Sequence, residues 1–337
     1  MTTNRPKPEQ TKLTICVSHP FSQWRAQPAM ARAIQSRWPT MRVVHLTDYK
    51  ELPSELPDTD IFVGASLRPE QFRAAKQLKW IHATAAGVSQ LMYPELRGSH
   101  VIVTNASGIF SSVMAEHAMG MMIALARNFP DAVRYQEQAH WAQQDLWDKP
   151  QHLTELNATT LLIVGFGSIG REIAKRARAF DMRVIGVTRS GKGDAALADR
   201  IVPISSLNDV LIAADYVVLC APETESTKHL IGSEQIGRMK RGARLLNFGR
   251  GSILDEAALM AALESGQLIG AALDVAETEP LPATSPLWKA RNLFITPHVS
   301  GISDRMWTRQ SDLFLRLLDE WFEGRELPNR VDLTRGY

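Results

Sequence analysis

The feature that most constrains this chain is a glycine-rich turn between a β-branched apolar run and a helix-like segment. The turn lies in LLIVGFGSIGREIAKRA, residues 161–177. A strand, G-x-G-x-x-G and a helix in this order predict a parallel α/β sheet that binds a dinucleotide at the turn, with the phosphates on N–H groups at the helix start. The alternative is a glycine-rich turn without a ligand. The cofactor-binding residues predicted here are Gly165, Gly167, Ser168, Ile169 and Gly170.

The composition is that of an ordinary globular protein. The 337 residues predict about two domains, and 38 basic against 36 acidic side chains leave a formal charge of +2. This balance gives no reason to expect nucleic acid or an anionic membrane as a partner. We find no apolar run of about 20 residues and no hydrophobic core near the amino terminus, so we expect a cytoplasmic protein. We predict no metal site and two buried thiols, Cys16 and Cys220.

Short β-rich runs alternate with helical stretches along the whole chain. This rhythm predicts parallel sheets. The runs lie at 13–17, 41–46, 60–65, 79–84, 101–105, 160–165, 182–187, 215–221, 243–248, 268–273 and 292–296. The fold class predicted is α/β, with two doubly wound parallel-sheet domains: a Rossmann coenzyme domain and a flavodoxin-like, discontinuous substrate domain.

The domain boundaries follow from the position of the second series of runs. Residues 108–298 are predicted to form the dinucleotide-binding domain, which starts with an apolar helical segment at 111–129. The amphipathic segment at 303–324 comes too late to belong to that sheet. We therefore expect residues 299–337 to return to the first domain, residues 1–107, and complete the substrate domain.

The residues after the second strand of the dinucleotide domain predict the choice of cofactor. An NAD-binding turn usually has an acidic residue there, which bonds the ribose 2′-hydroxyl. Here the run 182–187 is followed by Thr188, Arg189 and Ser190, and no carboxylate occurs before Asp194. Arg189 could pair with a 2′-phosphate, so NADP(H) is predicted over NAD(H), whose use stays open. The alternative is that the basic residues are solvated loop charges.

Three further segments indicate a family. They are LLNFGRGSILDEAALMAAL (245–263), AALDVAETEPLP (271–282) and ITPHVSG (295–301). With the glycine turn, they resemble the D-isomer-specific 2-hydroxyacid dehydrogenases of the glyoxylate/hydroxypyruvate reductase type. The resemblance covers nearly the whole chain and is strongest from about 155 to 301. It implies an oxidoreductase that reduces a 2-keto acid to a D-2-hydroxy acid.

The resemblance also implies a catalytic triad. His298 matches the family's acid/base, Glu279 matches its carboxylate partner, and Arg250 matches the arginine that binds the substrate's carboxylate. The nearby Glu277 does not match the motif. Chemistry explains the residue types, since an alkoxide forming at C2 needs a proton, and histidine can supply it near neutral pH. A neighbouring carboxylate stabilises the imidazolium, and a planar guanidinium suits a carboxylate.

Further residues match the family at single positions. Asp274 matches a residue near the nicotinamide carboxamide, and the loop ATAAGVSQL (83–91) resembles the loop whose N–H groups bind the substrate carboxylate. The additional cofactor-binding residues implied are Ala221, Pro222, Thr227, Phe248, Gly249 and Asp274. The additional substrate-binding residues implied are Ala86 and Gly87. Trp141 and Trp147 lie where some relatives send a residue across a dimer interface, and core packing is the alternative for both.

The chain departs from the common family pattern in two further places. Ala276 stands where an aromatic ring is frequent, and Ser89 replaces the usual aspartate after A-G-V. The substrate therefore stays open, among glyoxylate, hydroxypyruvate and bulkier 2-keto acids. A dehydrogenase of another small acid, or a dinucleotide-sensing protein of the corepressor type, is the alternative. The resemblance and the apolar 111–129 segment predict a homodimer.

Overall fold

The computed structural model describes residues 7–149 and 153–336, and the chain divides into two compact units. The first unit contains the chain up to Phe110 and again from Ile302, and the second is Ser111–Gly301. The sequence places these boundaries at 107 and 298. The roles of substrate domain and dinucleotide-binding domain stay predictions.

The strands of the described residues fall into two all-parallel sheets. They are β1 (Lys12–Cys16), β2 (Arg42–Leu46), β3 (Ile61–Gly64), β4 (Trp80–Ala83), β5 (Ile102–Asn105), β6 (Thr160–Val164), β7 (Arg183–Thr188), β8 (Arg200–Pro203), β9 (Tyr216–Leu219), β10 (Ala243–Asn247), β11 (Leu268–Leu273) and β12 (Leu293–Ile295).

The α-helices of the described residues mostly connect successive strands. They are α1 (Pro28–Arg37), α2 (Leu52–Glu55), α3 (Pro69–Ala74), α4 (Pro94–Arg97), α5 (Ser111–Ala126), α6 (Phe129–Glu137), α7 (Gln143–Trp147), α8 (Ser168–Arg178), α9 (Leu207–Leu211), α10 (Ser233–Arg238), α11 (Glu256–Glu264) and α12 (Met306–Phe322).

The first unit contains a five-stranded sheet of order β2-β1-β3-β4-β5. All residues of β1, β3 and β4 are buried, as expected where helices cover both faces of a parallel sheet. The late helix α12 packs on this sheet: the rings of Phe314 and Trp321 each lie with their centroids 5.3 Å from that of Trp80 on β4. The first unit is therefore discontinuous in sequence.

The second unit contains a seven-stranded sheet of order β12-β11-β10-β9-β6-β7-β8. The chain enters at β6, runs outward through β7 and β8, and then crosses to β9 on the other side. The strand order therefore reverses between β6 and β9. In open α/β sheets, ligands bind outside the carboxyl ends of the strands at such a point. This places the expected dinucleotide site at the end of β6.

The predicted fold class is confirmed, and the strand count of the second unit is corrected. The sequence predicts six strands there, but β8 forms a seventh, at the sheet edge, pairing Ile201 with Gly186. Only four residues long and ending in a proline, β8 gives little sequence signal. The apolar helix predicted for 111–129 ends at Ala126, because Asn128 has a left-handed φ of 51°.

The apolar surface of α5 packs within its own unit, against α8 and the strands β10 and β11. It therefore gives no separate support for the homodimer, which stays a prediction. The alternative that Trp141 and Trp147 pack in the core is wrong, because their side chains are 89% and 59% exposed. Cys16 is buried as predicted and Cys220 is half-buried. Burial raises the pKa of each thiol to about 12.

Candidate active site

The glycine turn connects β6 to α8, and each glycine meets a different constraint. Gly165 has a φ of +98°, and a Cβ there would lie 2.5 Å from the backbone nitrogen of Ala221. A Cβ on Gly170 would lie 2.5 Å from the carbonyl oxygen of Gly165. Gly167, by contrast, has open space on the side where its Cβ would point. The first and third glycines are thus needed by the fold, and the second leaves room for a ligand.

The start of α8 provides the donors that a phosphate would need. Ser168 and Ile169 open the helix, and no side chain of the described residues caps it at Gly167. The first backbone N–H groups of a helix have no partner within it, and the helix dipole places partial positive charge on them. The turn therefore fits the pyrophosphate of a dinucleotide.

The ends of β9 and β10 lie beside this turn. A Cβ on Gly249 would lie 2.8 Å from the carbonyl oxygen of Ala221, so the backbone of Ala221 is enclosed by Gly165 on one side and Gly249 on the other. The loop after Ala221 is closed by Thr227, whose Oγ1 lies 2.8 Å from the carbonyl oxygen of Pro222. Phe248 is buried, and its backbone N–H donates to Leu219.

The loop after β7 has the basic character that the sequence predicts. Thr188 Oγ1 donates to the carbonyl of Lys192 at 3.1 Å, and Gly191 turns the chain with a φ of +73°. Arg189 and Ser190 lie exposed between them. The next carboxylate along the chain, Asp194, accepts the backbone N–H of Ala196 at 3.0 Å.

His298 and Glu279 form the hydrogen-bonded pair that the family motif implies. The Nδ1 of His298 lies 2.6 Å from Oε2 of Glu279, and both side chains are partly exposed. The other oxygen of Glu279 accepts the backbone N–H of Ala276 at 2.9 Å, which fixes the carboxylate in its own loop. With the Nδ1 proton held by Glu279, the Nε2 of His298 is the nitrogen able to exchange a proton with a ligand.

Asp274 holds the loop that carries His298. Its buried carboxylate accepts the hydroxyl of Thr296 at 2.6 Å and the backbone N–H groups of Val299 and Ser300 at 2.9 and 3.0 Å. The backbone N–H of His298 donates to the carbonyl of Asp274 at 2.8 Å, with His298 at a left-handed φ of 53°. The loop is therefore held by four hydrogen bonds to this one residue.

His117 extends this network from α5. Its Nε2 lies 3.0 Å from the hydroxyl oxygen of Thr296. Since the Thr296 hydroxyl donates to Asp274, His117 is the donor in its own bond to Thr296. Burial lowers the pKa of His117, and the charge of Asp274 acts in the opposite direction. The sequence analysis missed His117 because a histidine within a helix carries no motif.

Arg250 lies at the turn after β10, with its side chain exposed. One guanidinium nitrogen, Nη1, donates to the carbonyl of Gly249 at 2.8 Å. The following Gly251 has no room for a side chain, since a Cβ would lie 2.0 Å from the carbonyl carbon of Ala276. The Arg250 turn thus packs directly on the backbone of the loop that leads to Glu279.

Glu277, which the motif excludes, has a different partner. Its Oε1 lies 3.1 Å from the Nε2 of His229, and both side chains are exposed. The sequence assignment of Glu279 rather than Glu277 as the partner of His298 therefore agrees with the contacts.

Ala86 and Gly87 belong to the first unit, in the loop after β4. Both are half-buried. The side chain of Asn105 donates to the carbonyl of Ala86 at 2.8 Å, which fixes the loop locally. Their predicted role in substrate binding stays a prediction.

Within 7–149 and 153–336, no group of three or more His, Cys, Asp or Glu side chains is placed to hold a metal ion. Over the same residues, no helix is both long and apolar enough to cross a membrane.

Comparison with known proteins places the chain in a family. Residues 119–300 match the family described as D-isomer specific 2-hydroxyacid dehydrogenase, NAD binding domain. A glyoxylate reductase of Korarchaeum cryptofilum (strain OPF8) is 34% identical over 289 residues, covering 84% of this chain and 86% of the relative.

Two solved structures extend the likeness to almost the whole chain. A D-isomer specific 2-hydroxyacid dehydrogenase family protein from Aeromonas salmonicida subsp. salmonicida A449 has a TM-score of 0.82 at 32% identity, covering 96% of this chain and 99% of that one. One from Xanthobacter autotrophicus Py2, in complex with NADPH and MES, has a TM-score of 0.81 at 26% identity, covering 97% and 100%. The chain therefore belongs to the D-isomer specific 2-hydroxyacid dehydrogenases, a family of NAD(P)-dependent enzymes.

Proposed function

We propose that this protein reduces a small 2-keto acid to the D-2-hydroxy acid with NADPH. The observation that carries the proposal is the His298–Glu279 pair, with 2.6 Å between Nδ1 and Oε2. A general acid with a fixed tautomer is what reduction of a carbonyl requires, since the alkoxide that forms must be protonated. The nicotinamide, when bound, supplies the hydride for C2 of the substrate.

His298 acts as the acid through Nε2, because Glu279 holds its Nδ1. Glu279 accepts the hydrogen bond from Nδ1 and keeps the ring oriented. In the reverse direction the same Nε2 accepts the proton of the hydroxy acid. The pair therefore serves both directions of the reaction.

Arg250 binds the carboxylate of the substrate and polarises its carbonyl. A guanidinium has five N–H donors in a planar fork, and here one nitrogen contacts the carbonyl of Gly249. Enough donors are left for a bidentate contact with a carboxylate. A carboxylate bound in this way holds the adjacent keto group near the guanidinium. The guanidinium then stabilises the negative charge that develops on the keto oxygen during reduction.

The preference for NADPH rests on the loop after β7. Thr188, Arg189 and Ser190 offer a guanidinium and hydroxyls where an NAD-specific turn offers a carboxylate, and a 2′-phosphate pairs favourably with the former. The relative from Xanthobacter autotrophicus Py2 was solved with NADPH, which supports the same choice. NADH is expected to be the poorer cofactor.

The test is a matrix of the purified protein with NADPH or NADH against glyoxylate, hydroxypyruvate, pyruvate and phenylpyruvate, followed at 340 nm. We expect oxidation of NADPH with one preferred acid. Glyoxylate is the first candidate, because the Korarchaeum relative is a glyoxylate reductase. Binding of NADPH without turnover of any acid would contradict the proposal and favour a dinucleotide-sensing protein. Equal or better kcat/KM with NADH would contradict the cofactor preference alone.

A further inference from the structure

The turn that carries Arg250 is shaped by the side chain of the last residue of β10. Asn247 is 1% exposed. Its Oδ1 accepts the backbone N–H of Gly249 at 3.0 Å, and its Nδ2 donates to the backbone carbonyl of Arg250 at 3.0 Å. One amide thus bonds the chain on both sides of the Gly249–Arg250 peptide. An asparagine that bonds its own backbone two residues on is a common way to fix a tight turn.

The orientation of this amide follows from its two partners. A backbone N–H needs an acceptor and a backbone carbonyl needs a donor, so the opposite orientation would lose both bonds. The carbonyl of Arg250 also accepts the backbone N–H of Ile253 at 3.2 Å, and therefore has two donors. The backbone of Arg250 is therefore held both by the side chain of Asn247 and by the turn of chain that follows Arg250.

Arg250 itself needs such support. Its side chain is exposed, and among the described residues its guanidinium donates to one carbonyl, that of Gly249. A long side chain on an unsupported turn would lose much of its charge–charge interaction to motion and solvent. The position of its Cα is instead set by a buried amide at the end of a central strand. Its neighbour β9 is buried throughout, and its neighbour β11 is buried except at Ile269.

We infer that Asn247 is a positioning residue for Arg250, and through it for the carboxylate of the substrate. This inference rests on the proposed function of Arg250. It predicts that loss of the Asn247 amide weakens binding of a 2-keto acid far more than binding of the dinucleotide. It also predicts that substitution of Asn247 no longer changes the affinity for substrate once the Arg250 side chain has been removed.

The test uses Asn247→Ala and Asn247→Asp, alone and combined with Arg250→Ala, in the full-length protein. Asn247→Asp keeps an acceptor for Gly249 but replaces the donor to Arg250, so it separates the two bonds. The probe is oxamate, a 2-keto acid analogue, titrated into the NADPH complex by fluorescence. Kinetics with the preferred acid from the matrix give kcat and KM.

We expect each single variant to raise the oxamate Kd and the KM of the acid about tenfold or more, with the Kd of NADPH changed less than about twofold. In the Arg250→Ala background, the Asn247 substitutions should change the oxamate Kd less than about twofold, because interacting residues are not additive. The inference would be overturned if the Asn247 substitutions weakened oxamate binding equally with and without Arg250, or if they weakened it in neither background.

Gln267→Ala is the matched control. Gln267 is a partly buried residue of the same unit, and its side-chain amide donates to the backbone carbonyls of Ile236 and Met239. It precedes the amino end of β11, whereas the candidate site lies at the carboxyl ends of the strands. Gln267→Ala should lower the thermal midpoint about as much as Asn247→Ala does, without changing the Kd of oxamate. If Asn247→Ala does not fold, Asn247→Asp carries the test.

The outcomes separate the inference from the proposed function. A wild-type protein that binds oxamate without turning over any acid contradicts the reductase, while the coupling of Asn247 to Arg250 can still be measured. A wild-type protein that turns over while Asn247→Ala binds oxamate normally contradicts the positioning role alone. If the wild-type protein neither binds oxamate in its NADPH complex nor turns over any acid, both are overturned, since both place a carboxylate on Arg250. If it turns over an acid without binding oxamate, the KM values of the same variants decide the positioning role.

Discussion

Arg250 and His298, the two residues proposed to contact the substrate, each depend on a buried polar residue at the end of a strand. Asn247 ends β10 and bonds the Arg250 turn, whereas Asp274 follows β11 and bonds the loop of His298. The backbone N–H of Asp274 donates to the carbonyl of Asn247 at 3.1 Å, so the two supports are themselves joined. The side chains of Arg250 and His298 are exposed while their backbones are fixed from the core.

Replacing His298 tests the acid directly. His298→Gln should lower kcat by about 10² or more, because the substitution removes the proton donor without emptying the position. The Kd of NADPH should change less than about twofold, since the glycine turn is untouched. Steady-state kinetics and a fluorescence titration measure both. Near-normal kcat would remove His298 from the mechanism.

Arg189 tests the cofactor preference. Arg189→Ala should raise the KM for NADPH about tenfold and leave the KM for NADH within about twofold, because only NADPH has a 2′-phosphate for Arg189 to bind. Lys175→Ala is the charge control, since it removes an exposed cation from the last turn of α8 in the same unit. Equal effects of the two variants would show that only general charge is involved.

At the scale of elements, the sheets follow from sequence patterns and the connections do not. Long apolar runs ending in turn residues predict eleven of the strands, because strands buried on both faces must be apolar throughout. The edge strand β8 lacks that signal. The end of α5 depends on Asn128, whose left-handed backbone no periodicity reveals.

The candidate site divides in the same way. The glycine turn, Arg250, Glu279 and His298 are found from motifs, since chemistry fixes their residue types and spacing. Asn247 lies in the same motif segment as Arg250, but its role does not follow from the motif, and His117 lies in no motif. The partners of both are backbone groups and a hydroxyl that the fold brings together. A motif predicts which residues react, whereas the contacts show which residues hold them in place.

The glycines of the β6–α8 turn make separable predictions. Gly167→Ala should leave the thermal midpoint within about 2 °C but raise the Kd of NADPH at least about tenfold, because its Cβ would meet ligand rather than protein. Gly165→Ala should fail to fold normally, given its φ of +98° and the 2.5 Å approach to Ala221. Gly120→Ala, on an exposed position inside α5 with open space, is the control. It should leave the Kd of NADPH unchanged and raise the thermal midpoint by a few degrees at most, because alanine favours a helix interior.

On the scale of the whole molecule, the two units have separate sheets and separate cores. The first unit contains a buried titratable residue outside any proposed site. His82 on β4 is fully buried, with Nδ1 2.9 Å from the hydroxyl of Thr104 and Nε2 2.9 Å from the side-chain amide of Gln310 on α12. Burial lowers the pKa of His82 from 6.5 to about 3.

This residue predicts how stability depends on pH. Between about pH 6.5 and 3 the unfolded chain binds a proton at His82 that the folded chain does not, so the free energy of unfolding should fall as the pH falls. Urea unfolding at a series of pH values measures the slope. His82→Gln should flatten it, whereas His100→Gln, on the surface, should not. An unchanged slope in His82→Gln would assign the acid sensitivity to other groups.

The packing of α12 on β4 also has a consequence for synthesis on the ribosome. The second unit lies within one continuous stretch, Ser111–Gly301, and can fold as soon as that stretch has emerged. Residues up to Phe110 are made before it, but the rings of Phe314 and Trp321 can pack on Trp80 only after the second unit has been synthesised. The residues up to Phe110 must therefore wait for α12, with an apolar sheet face incompletely covered, while the second unit folds. Chaperone contact during synthesis is accordingly expected on residues that precede Phe110.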